Sequence, residues 1–207
     1  MLISELRRGV VAYRTQEGRD VIYRVARKLV EDAWPNPVDV ADGLGVLLSI
    51  WNNSFYRYGP FSYDDLEDCI DSNAATLNKF RQKALVRSCI DDDYDQLGEL
   101  LESFSRALVA MPKKKKNKPR RTPVGVAKAL HLIAPLYFPL WDNKIANALG
   151  CSYLHEPIEA YLRFMRQTKA EAVPLYKSKF VKRYGKDGVL KLLDEYNYAR
   201  YTKEWIR

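Results

Sequence analysis

The stretch TPVGVAKALHLIAPLYFPLWDNKIANALG, residues 122–150, ends an apolar crossover with one acidic side chain, Asp142. This residue falls at the predicted start of a helix, where free backbone amides and the helix dipole favour a carboxylate. A carboxylate fixed in a partly dry site stabilises positive charge in a transition state and can orient or activate a water molecule. An aspartate at a helix start is most often only a cap. Asp142 is therefore interpreted either as a helix cap or as a catalytic carboxylate.

A helix is predicted directly before this crossover, over residues 123–134. Thr122 is suited to cap the helix, and Pro123 fits its first turn. Gly125 lies early in the helix, where the missing side chain permits close approach of another backbone, such as a phosphate backbone. His131 lies in the middle of the helix, and it is either a packed or surface histidine or a residue that contacts a base.

The net charge of +8 is concentrated just before this helix. Residues 113–121, which we call the basic segment, contain seven lysines and arginines, so the rest of the chain carries only about +1. The seven are Lys113, Lys114, Lys115, Lys116, Lys118, Arg120 and Arg121. Such a cluster attracts a polyanion, most commonly a phosphate backbone, although a solvated linker has the same composition.

The sequence GVAKALHLIAPLYFPLWDNKI resembles the core of the helix-hairpin-helix (HhH-GPD) DNA glycosylases, the superfamily of endonuclease III and the 8-oxoguanine glycosylases. The resemblance covers about residues 120–150. It implies an all-α, compact two-lobed helical domain that binds double-stranded DNA and hydrolyses the N-glycosidic bond of a modified base. Gly125 matches the glycine of the hairpin that grips a phosphate, and Asp142 matches the catalytic aspartate of the family.

The chain departs from the family at the position of a nucleophilic lysine. Bifunctional members carry that lysine near the start of the second hairpin helix, which alignment on Asp142 places near Val124. No lysine occurs from Arg121 to Gly125, and Lys128 lies about one helical turn later, where it reaches the site only if the helix is displaced. The resemblance therefore implies a monofunctional glycosylase. Such an enzyme should form little or no Schiff base that borohydride can trap. The usual LPGVG hairpin is replaced by RRTPVGV.

A glycosylase takes its target base out of the stack and holds it with aromatic or apolar side chains. The candidates for this base pocket are Trp51, Tyr56, Tyr58, Trp141 and His131. Trp51 and Trp141 lie among apolar neighbours, which favours a position in the core over a position in a pocket.

No cofactor or metal is predicted. The three cysteines, Cys69, Cys89 and Cys151, are widely spaced and form neither a metal-ligand pattern nor a disulfide framework, which is typical of a reducing cytoplasm. A prokaryotic protein of this kind would be associated with the nucleoid. No apolar run approaches the about 20 residues that a membrane span needs, so no membrane partner is expected.

Helical periodicity dominates the chain, and no run of residues has the alternation typical of a strand. We expect about eight to ten short helices, with a break near Pro174 and Asp187 as the cap of the last helix. In the helix EGRDVIYRVARKLVEDAW, one stripe is predicted to be apolar, with the members Val21, Ile22, Val25, Leu29 and Val30. The basic segment separates a helical lobe, 1–112, from a second one, 122–207, and the two are expected to form one integrated domain.

Three functional hypotheses stay open. The first is a base-excision glycosylase that depends on Asp142. The second is the same fold without catalysis, binding nucleic acid through the basic segment and the Gly125 hairpin. The third is a helical interaction protein whose basic segment contacts an acidic protein partner.

Overall fold

The computed structural model describes residues 1–51, 55, 59–111, 118–185 and 188–206, and regular structure in these residues is helical apart from one isolated β-bridge. The α-helices are α1 (Ile3–Gln16), α2 (Asp20–Ala33), α3 (Pro37–Trp51), α4 (Tyr63–Ser72), α5 (Ala74–Arg81), α6 (Tyr94–Ala107), α7 (Pro123–Ile133), α8 (Asn143–Ala148), α9 (Pro157–Ala172), α10 (Lys179–Tyr184) and α11 (Gly188–Asn197). Short 3₁₀ turns cover Leu85–Arg87 and Asp91–Asp93, and a π-helical turn, Tyr198–Thr202, follows α11.

The all-α class predicted from the sequence is confirmed. The helix predicted over residues 123–134 is α7, which begins at Pro123 as expected and ends at Ile133. The break predicted near Pro174 lies between α9 and α10. Asp187, the predicted cap of the last helix, lies outside the described residues.

The buried face of α2 overlaps the predicted stripe only at Val30 and, in part, at Ile22. Tyr23, Ala26 and Val30 are buried and recur at three and four residues, as the inner face of a helix requires. Three members of the predicted stripe, Val21, Val25 and Leu29, are exposed instead. The prediction was wrong because aliphatic residues were weighted above Tyr23, whose ring reaches the core while its hydroxyl finds an internal partner.

One continuous core joins the two halves of the chain. Helix α1 packs against α11, and α7 contacts α2, α3 and α6. Every residue from Gly125 to Ile133 is buried, so α7 is surrounded by protein on all sides. A helix enclosed in this way must give each of its polar side chains an internal partner. Two such side chains, Lys128 and His131, therefore depend on the elements around them.

An isolated β-bridge pairs residues on either side of positions 112–117, which lie outside the described residues. The amide of Ala110 donates to the carbonyl of Arg120 at 2.9 Å, and the amide of Arg120 donates back at 3.1 Å. The two described residues on either side of this gap are therefore joined by a pair of backbone hydrogen bonds. Thr122 follows the basic segment, and its hydroxyl donates to the carbonyl of Leu108 at 2.6 Å. The prediction that the Thr122 side chain caps α7 is wrong, since it makes no hydrogen bond to the helix amides.

His131 is fully buried and holds two other elements together. Its Nδ1 lies 2.7 Å from the carbonyl oxygen of Phe138, and its Nε2 lies 3.0 Å from the Tyr23 hydroxyl. Because a carbonyl can only accept, Nδ1 carries the proton and Nε2 accepts from Tyr23. Burial lowers the pKa of His131 to about 3, so the ring is neutral in the folded protein at pH 7. The expectation that His131 contacts a base is not met, because both ring nitrogens are engaged in the interior.

The neutral state of His131 makes the fold sensitive to acid. The folded pKa lies below the unfolded one, so the unfolded chain takes up a proton first and stability falls as the pH drops below about 6.5. At pH 5 this loss is about 2 kcal/mol. Urea unfolding at pH 7 and pH 5 measures it, and in His131→Gln the stability difference between the two pH values should be smaller by about that amount.

The second histidine provides the control for this measurement. His155 is exposed, so His155→Gln should leave the pH dependence of the unfolding free energy as it is in the wild type. An unchanged pH dependence in His131→Gln would show that His131 does not couple folding to protonation.

Candidate functional site

Asp142 lines a cavity of about 400 Å³, which we call the Asp142 cavity. Its walls come from α1, the α1–α2 turn, α3, α7, the crossover before α8, α8, α11 and the segment after α11. Both halves of the sequence thus contribute to it. A concave site of this volume, with a few polar groups among aromatic ones, is typical of a small-molecule or base-sized ligand.

The carboxylate of Asp142 is fixed by two hydrogen bonds. Its Oδ1 accepts from the backbone amide of Ile145 at 2.8 Å, and its Oδ2 accepts from the hydroxyl of Thr202 at 2.6 Å. The backbone of Asp142 is extended, as is usual for an N-cap, so its predicted position at the start of a helix is confirmed. Asp142 thus caps α8 and also lines the cavity, so its role as a helix cap is compatible with a role in catalysis.

Helix α7 presents a buried amine to the cavity. Val124 and Lys128 are four residues apart, so they lie on one face of the helix, and both line the cavity. Lys128 therefore reaches the site without any displacement of the helix. Its side chain is 9% exposed, and its Nζ donates to the carbonyl oxygen of Trp51. Burial lowers the pKa of Lys128 to about 8, although the carboxylates of Asp142 and Asp194 oppose the shift.

A second carboxylate, Asp194, enters the cavity from α11. Its Oδ2 accepts from the Nζ of Lys191 at 3.1 Å, and the Lys191 amine lies 4.5 Å from the centre of the Tyr13 ring. Burial raises the pKa of Asp194 above its ordinary value, while the charge of Lys191 works in the opposite direction. For Lys191, burial is outweighed by the carboxylates of Asp194 and Glu195, which raise its pKa. Asp194 was not predicted from the sequence; charged residues inside the apolar run VLKLLDEY are the signal that points to it.

Aromatic side chains form much of the remaining surface of the cavity. Trp51 and Trp141 both line it, and Trp141 is also a core residue whose ring lies 5.1 Å from that of Tyr161. The sequence analysis missed three tyrosines of the lining, Tyr13, Tyr153 and Tyr198. In the described part of the chain, the indole nitrogens of Trp51 and Trp141 are buried without a hydrogen-bond partner. Tyr56 and Tyr58, the other candidates for the base pocket, lie outside the described residues.

The segment after α11 closes one side of the cavity. The hydroxyl of Tyr198 accepts from the guanidinium of Arg19 at 2.7 Å, and Arg19 also binds the carboxylate of Glu17. This hydrogen bond from Arg19 holds the pKa of Glu17 at about 2. Lys203 lines the cavity beside them and lies over the ring of Tyr198. The positive side chains at this side are therefore anchored next to aromatic rings.

The residues predicted to bind nucleic acid fall into three groups. Lys118 and Arg120 are exposed, and Arg121 is exposed but pairs with Glu102 of α6 at 3.1 Å. Thr122 and Gly125 are buried, so neither the Thr122 hydroxyl nor the Gly125 backbone is exposed to a ligand. The remaining lysines, Lys113, Lys114, Lys115 and Lys116, lie outside the described residues. The basic segment ends at the first turn of α7, the same turn that contributes Val124 to the cavity.

Among the residues that the structure describes, no group of three or more His, Cys, Asp or Glu side chains is placed to hold a metal ion. Within the same residues, no helix has both the length and the apolar surface needed to span a bilayer.

Comparisons with protein-family models, with curated proteins and with solved structures found no match to this chain. The function has to be inferred from the geometry of the Asp142 cavity and from the resemblance described above.

Proposed function

We propose that this protein is a monofunctional DNA glycosylase of the helix-hairpin-helix type, which hydrolyses the bond between a modified base and its deoxyribose. The observation that carries the proposal is the placement of Asp142. Its carboxylate is held by two hydrogen bonds in the wall of a cavity that also contains a buried amine and aromatic rings. In this assignment Asp142 is the catalytic carboxylate.

The reaction separates charge, and the cavity has a group for each sign. As the bond between the sugar carbon C1′ and the base nitrogen breaks, positive charge develops on the sugar and negative charge on the departing base. Asp142 stabilises the sugar cation and orients the water that adds to C1′, while the proton released from that water ends on the base. The ammonium of Lys128 stabilises the negative charge on the base before this proton arrives.

The aromatic lining provides the place for an extruded base. Enzymes that act on a base remove it from the duplex and hold it against aromatic or apolar side chains. Trp51, Trp141 and Tyr153 offer such surfaces around a cavity of about 400 Å³. The enclosed amine of Lys128 and carboxylate of Asp194 are a donor and an acceptor for the polar edge of the base.

The basic segment brings the DNA to this cavity. Double-stranded DNA is the partner, since its phosphates supply the anions that the lysines and arginines require. Its described basic residues, Lys118, Arg120 and Arg121, are exposed and directly precede Thr122 and the first turn of α7. DNA held by the segment therefore lies beside the helix that carries Val124 and Lys128 into the cavity.

Binding of nucleic acid without catalysis is the second candidate. One observation favours it, because both oxygens of Asp142 already accept hydrogen bonds from the protein itself. In that case Asp142 serves only as the cap of α8 and as an anchor for Thr202. Substitution of the carboxylate by a neutral amide separates the two functions.

The substitution Asp142→Asn should abolish base excision. Asparagine is as good an N-cap as aspartate, so α8 keeps its cap while the negative charge is lost. We expect excision to slow by at least about 100-fold with unchanged affinity for DNA. The measurement is strand scission by alkali after incubation with duplexes that carry uracil, an oxidised purine or an alkylated base, together with the Kd for each duplex.

Ser178→Ala is the matched control for a lost cap. Ser178 caps α10 by accepting from the amide of Val181 at 3.2 Å, and it is not part of the cavity lining. This variant should lose about 1 kcal/mol of stability and keep its activity. Full activity of Asp142→Asn would refute the catalytic assignment. Tight binding by a wild-type protein that cleaves none of the three lesions would establish the non-catalytic alternative.

The role of Lys128 predicts a dependence on pH. If the ammonium form acts on the departing base, the single-turnover rate should fall as the pH rises through about 8, where Lys128 loses its proton. Lys128→Met should be slower at pH 7 and should lack this decrease. Rates measured from pH 6.5 to 9.5 test it, with Lys182→Met, an exposed lysine of α10, as the control that keeps the wild-type profile.

The opposite pH profile would assign another role to Lys128. A rate that rises as the amine loses its proton, together with a covalent adduct that borohydride traps, would make Lys128 a nucleophile. We expect no trapping, because a hydrolytic mechanism forms no Schiff base.

Binding to DNA should depend steeply on salt. Seven engaged charges give a slope of about −6 for the logarithm of the association constant against the logarithm of the salt concentration. Replacing Lys113, Lys114, Lys115 and Lys116 by Gln should make this slope shallower by about 3.6. A control of equal charge change is available after α9 in the sequence, where Lys177, Lys179, Lys182 and Arg183 are exposed.

The control with Gln at these four positions should keep most of the slope. Absent or salt-insensitive binding to DNA by the wild type would exclude both nucleic-acid functions and would favour the hypothesis of an acidic protein partner.

A further inference from the structure

A residue near the end of the chain is bonded directly to Asp142. The hydroxyl of Thr202 donates to Oδ2 of Asp142 at 2.6 Å, and both residues line the cavity. This oxygen is the one that the helix cap leaves unused, since the amide of Ile145 binds Oδ1. Thr202 therefore holds the carboxylate oxygen that takes no part in the helix cap.

The π-helical turn after α11 places Thr202 at this position. The amide of Lys203 donates to the carbonyl of Tyr198, five residues earlier, at 3.0 Å, which identifies the wider turn. A π-turn contains one residue more than an α-turn, so each side chain beyond it is shifted by one position around the helix. Such turns are frequent at functional sites.

A second bond ties the same two segments together. The amine of Lys144, in the first turn of α8, donates to the backbone carbonyl of Thr202 at 3.0 Å. At the start of the π-turn, the ring of Tyr198 packs edge-on against Tyr13 at 5.6 Å, and its hydroxyl accepts from Arg19. The turn is thus anchored at both ends, so the Thr202 hydroxyl has a fixed position relative to Asp142.

We propose that Thr202 is a positioning residue, which holds the carboxylate of Asp142 in the orientation that base excision requires. The proposal rests on the proposed function. With only Oδ1 held, the carboxylate can rotate about its Cβ–Cγ bond, and Oδ2 then moves away from the place where the sugar charge develops. A displacement of about 1 Å at a reacting group costs up to about 100-fold in rate.

Two substitutions of Thr202 test the proposal. Thr202→Val keeps the shape and removes the hydroxyl, whereas Thr202→Ser keeps the hydroxyl. We expect Thr202→Val to lower the single-turnover rate by about 10- to 100-fold with an unchanged Kd for DNA, and Thr202→Ser to restore the rate to within about threefold of wild type. Thr15→Val is the matched control, since Thr15 donates to the carbonyl of Val11 on the exposed side of α1.

A double variant shows whether the effect passes through Asp142. If Thr202 acts by orienting this carboxylate, adding Thr202→Val to Asp142→Asn should lower the remaining rate by less than about twofold. A full further loss in the double variant would assign Thr202 a role independent of Asp142 and would overturn the proposal. Equal losses in the Val and Ser variants would also overturn it, because they would indicate packing rather than the hydroxyl.

The test distinguishes the failure of this proposal from that of the proposed function. Wild-type activity in Thr202→Val, together with an inactive Asp142→Asn, would refute the positioning role alone. A wild type that excises none of the tested bases would refute both.

Discussion

The burial of α7 from Gly125 to Ile133 is the constraint on which the rest of the structure depends. Residues on every side of this helix are enclosed, so its two polar side chains must be satisfied by other elements. His131 is a neutral ring that is hydrogen-bonded to Tyr23 of α2 and to the carbonyl of Phe138. These bonds connect α2 and the crossover before α8 to α7. Lys128 lines a cavity, and its amine donates to the carbonyl of Trp51 at the end of α3. The same burial thus fixes a neutral ring in the interior at one point and lowers the pKa of an amine at another.

The two buried lysines near the cavity have different surroundings and opposite pKa shifts. Lys191 is surrounded by carboxylates, lying 3.1 Å from Asp194 and 3.9 Å from Glu195, and its pKa stays high in spite of burial. Lys128 donates to a neutral carbonyl, and burial lowers its pKa. Breaking a buried ion pair is costly, while the pair itself adds little stability over apolar packing. Clusters of buried ionisable groups with shifted pKa values are therefore more informative about function than about stability, especially where they line a cavity.

The sequence predicted local features well and tertiary ones poorly. The helical class, the first turn of α7 at Pro123 and the cap at Asp142 were predictable, because each depends on residues a few positions apart. The inner face of α2 was not, since aliphatic residues occupy both faces and the choice of Tyr23 depends on a partner in α7. The contact of Thr202 with Asp142 was not predictable either. The two residues are 60 positions apart, and no local pattern indicates the π-turn that contains Thr202. The cavity consists mainly of such long-range contacts, which explains why Asp194 and three of its tyrosines were missed.

Fixing a carboxylate at a helix start has consequences for stability and for chemistry together. The amide of Ile145 and the hydroxyl of Thr202 lower the energy of the charged carboxylate, but they also restrict its motion. A group fixed in advance needs little reorganisation when positive charge develops beside it, and this is the main source of electrostatic catalysis. A cap on a surface helix gains stability from the same bonds without facing any cavity. The difference at Asp142 is that the capped residue lines a cavity, whose lining also includes Lys128 and several aromatic rings. This combination, rather than the cap alone, makes Asp142 a candidate for chemistry.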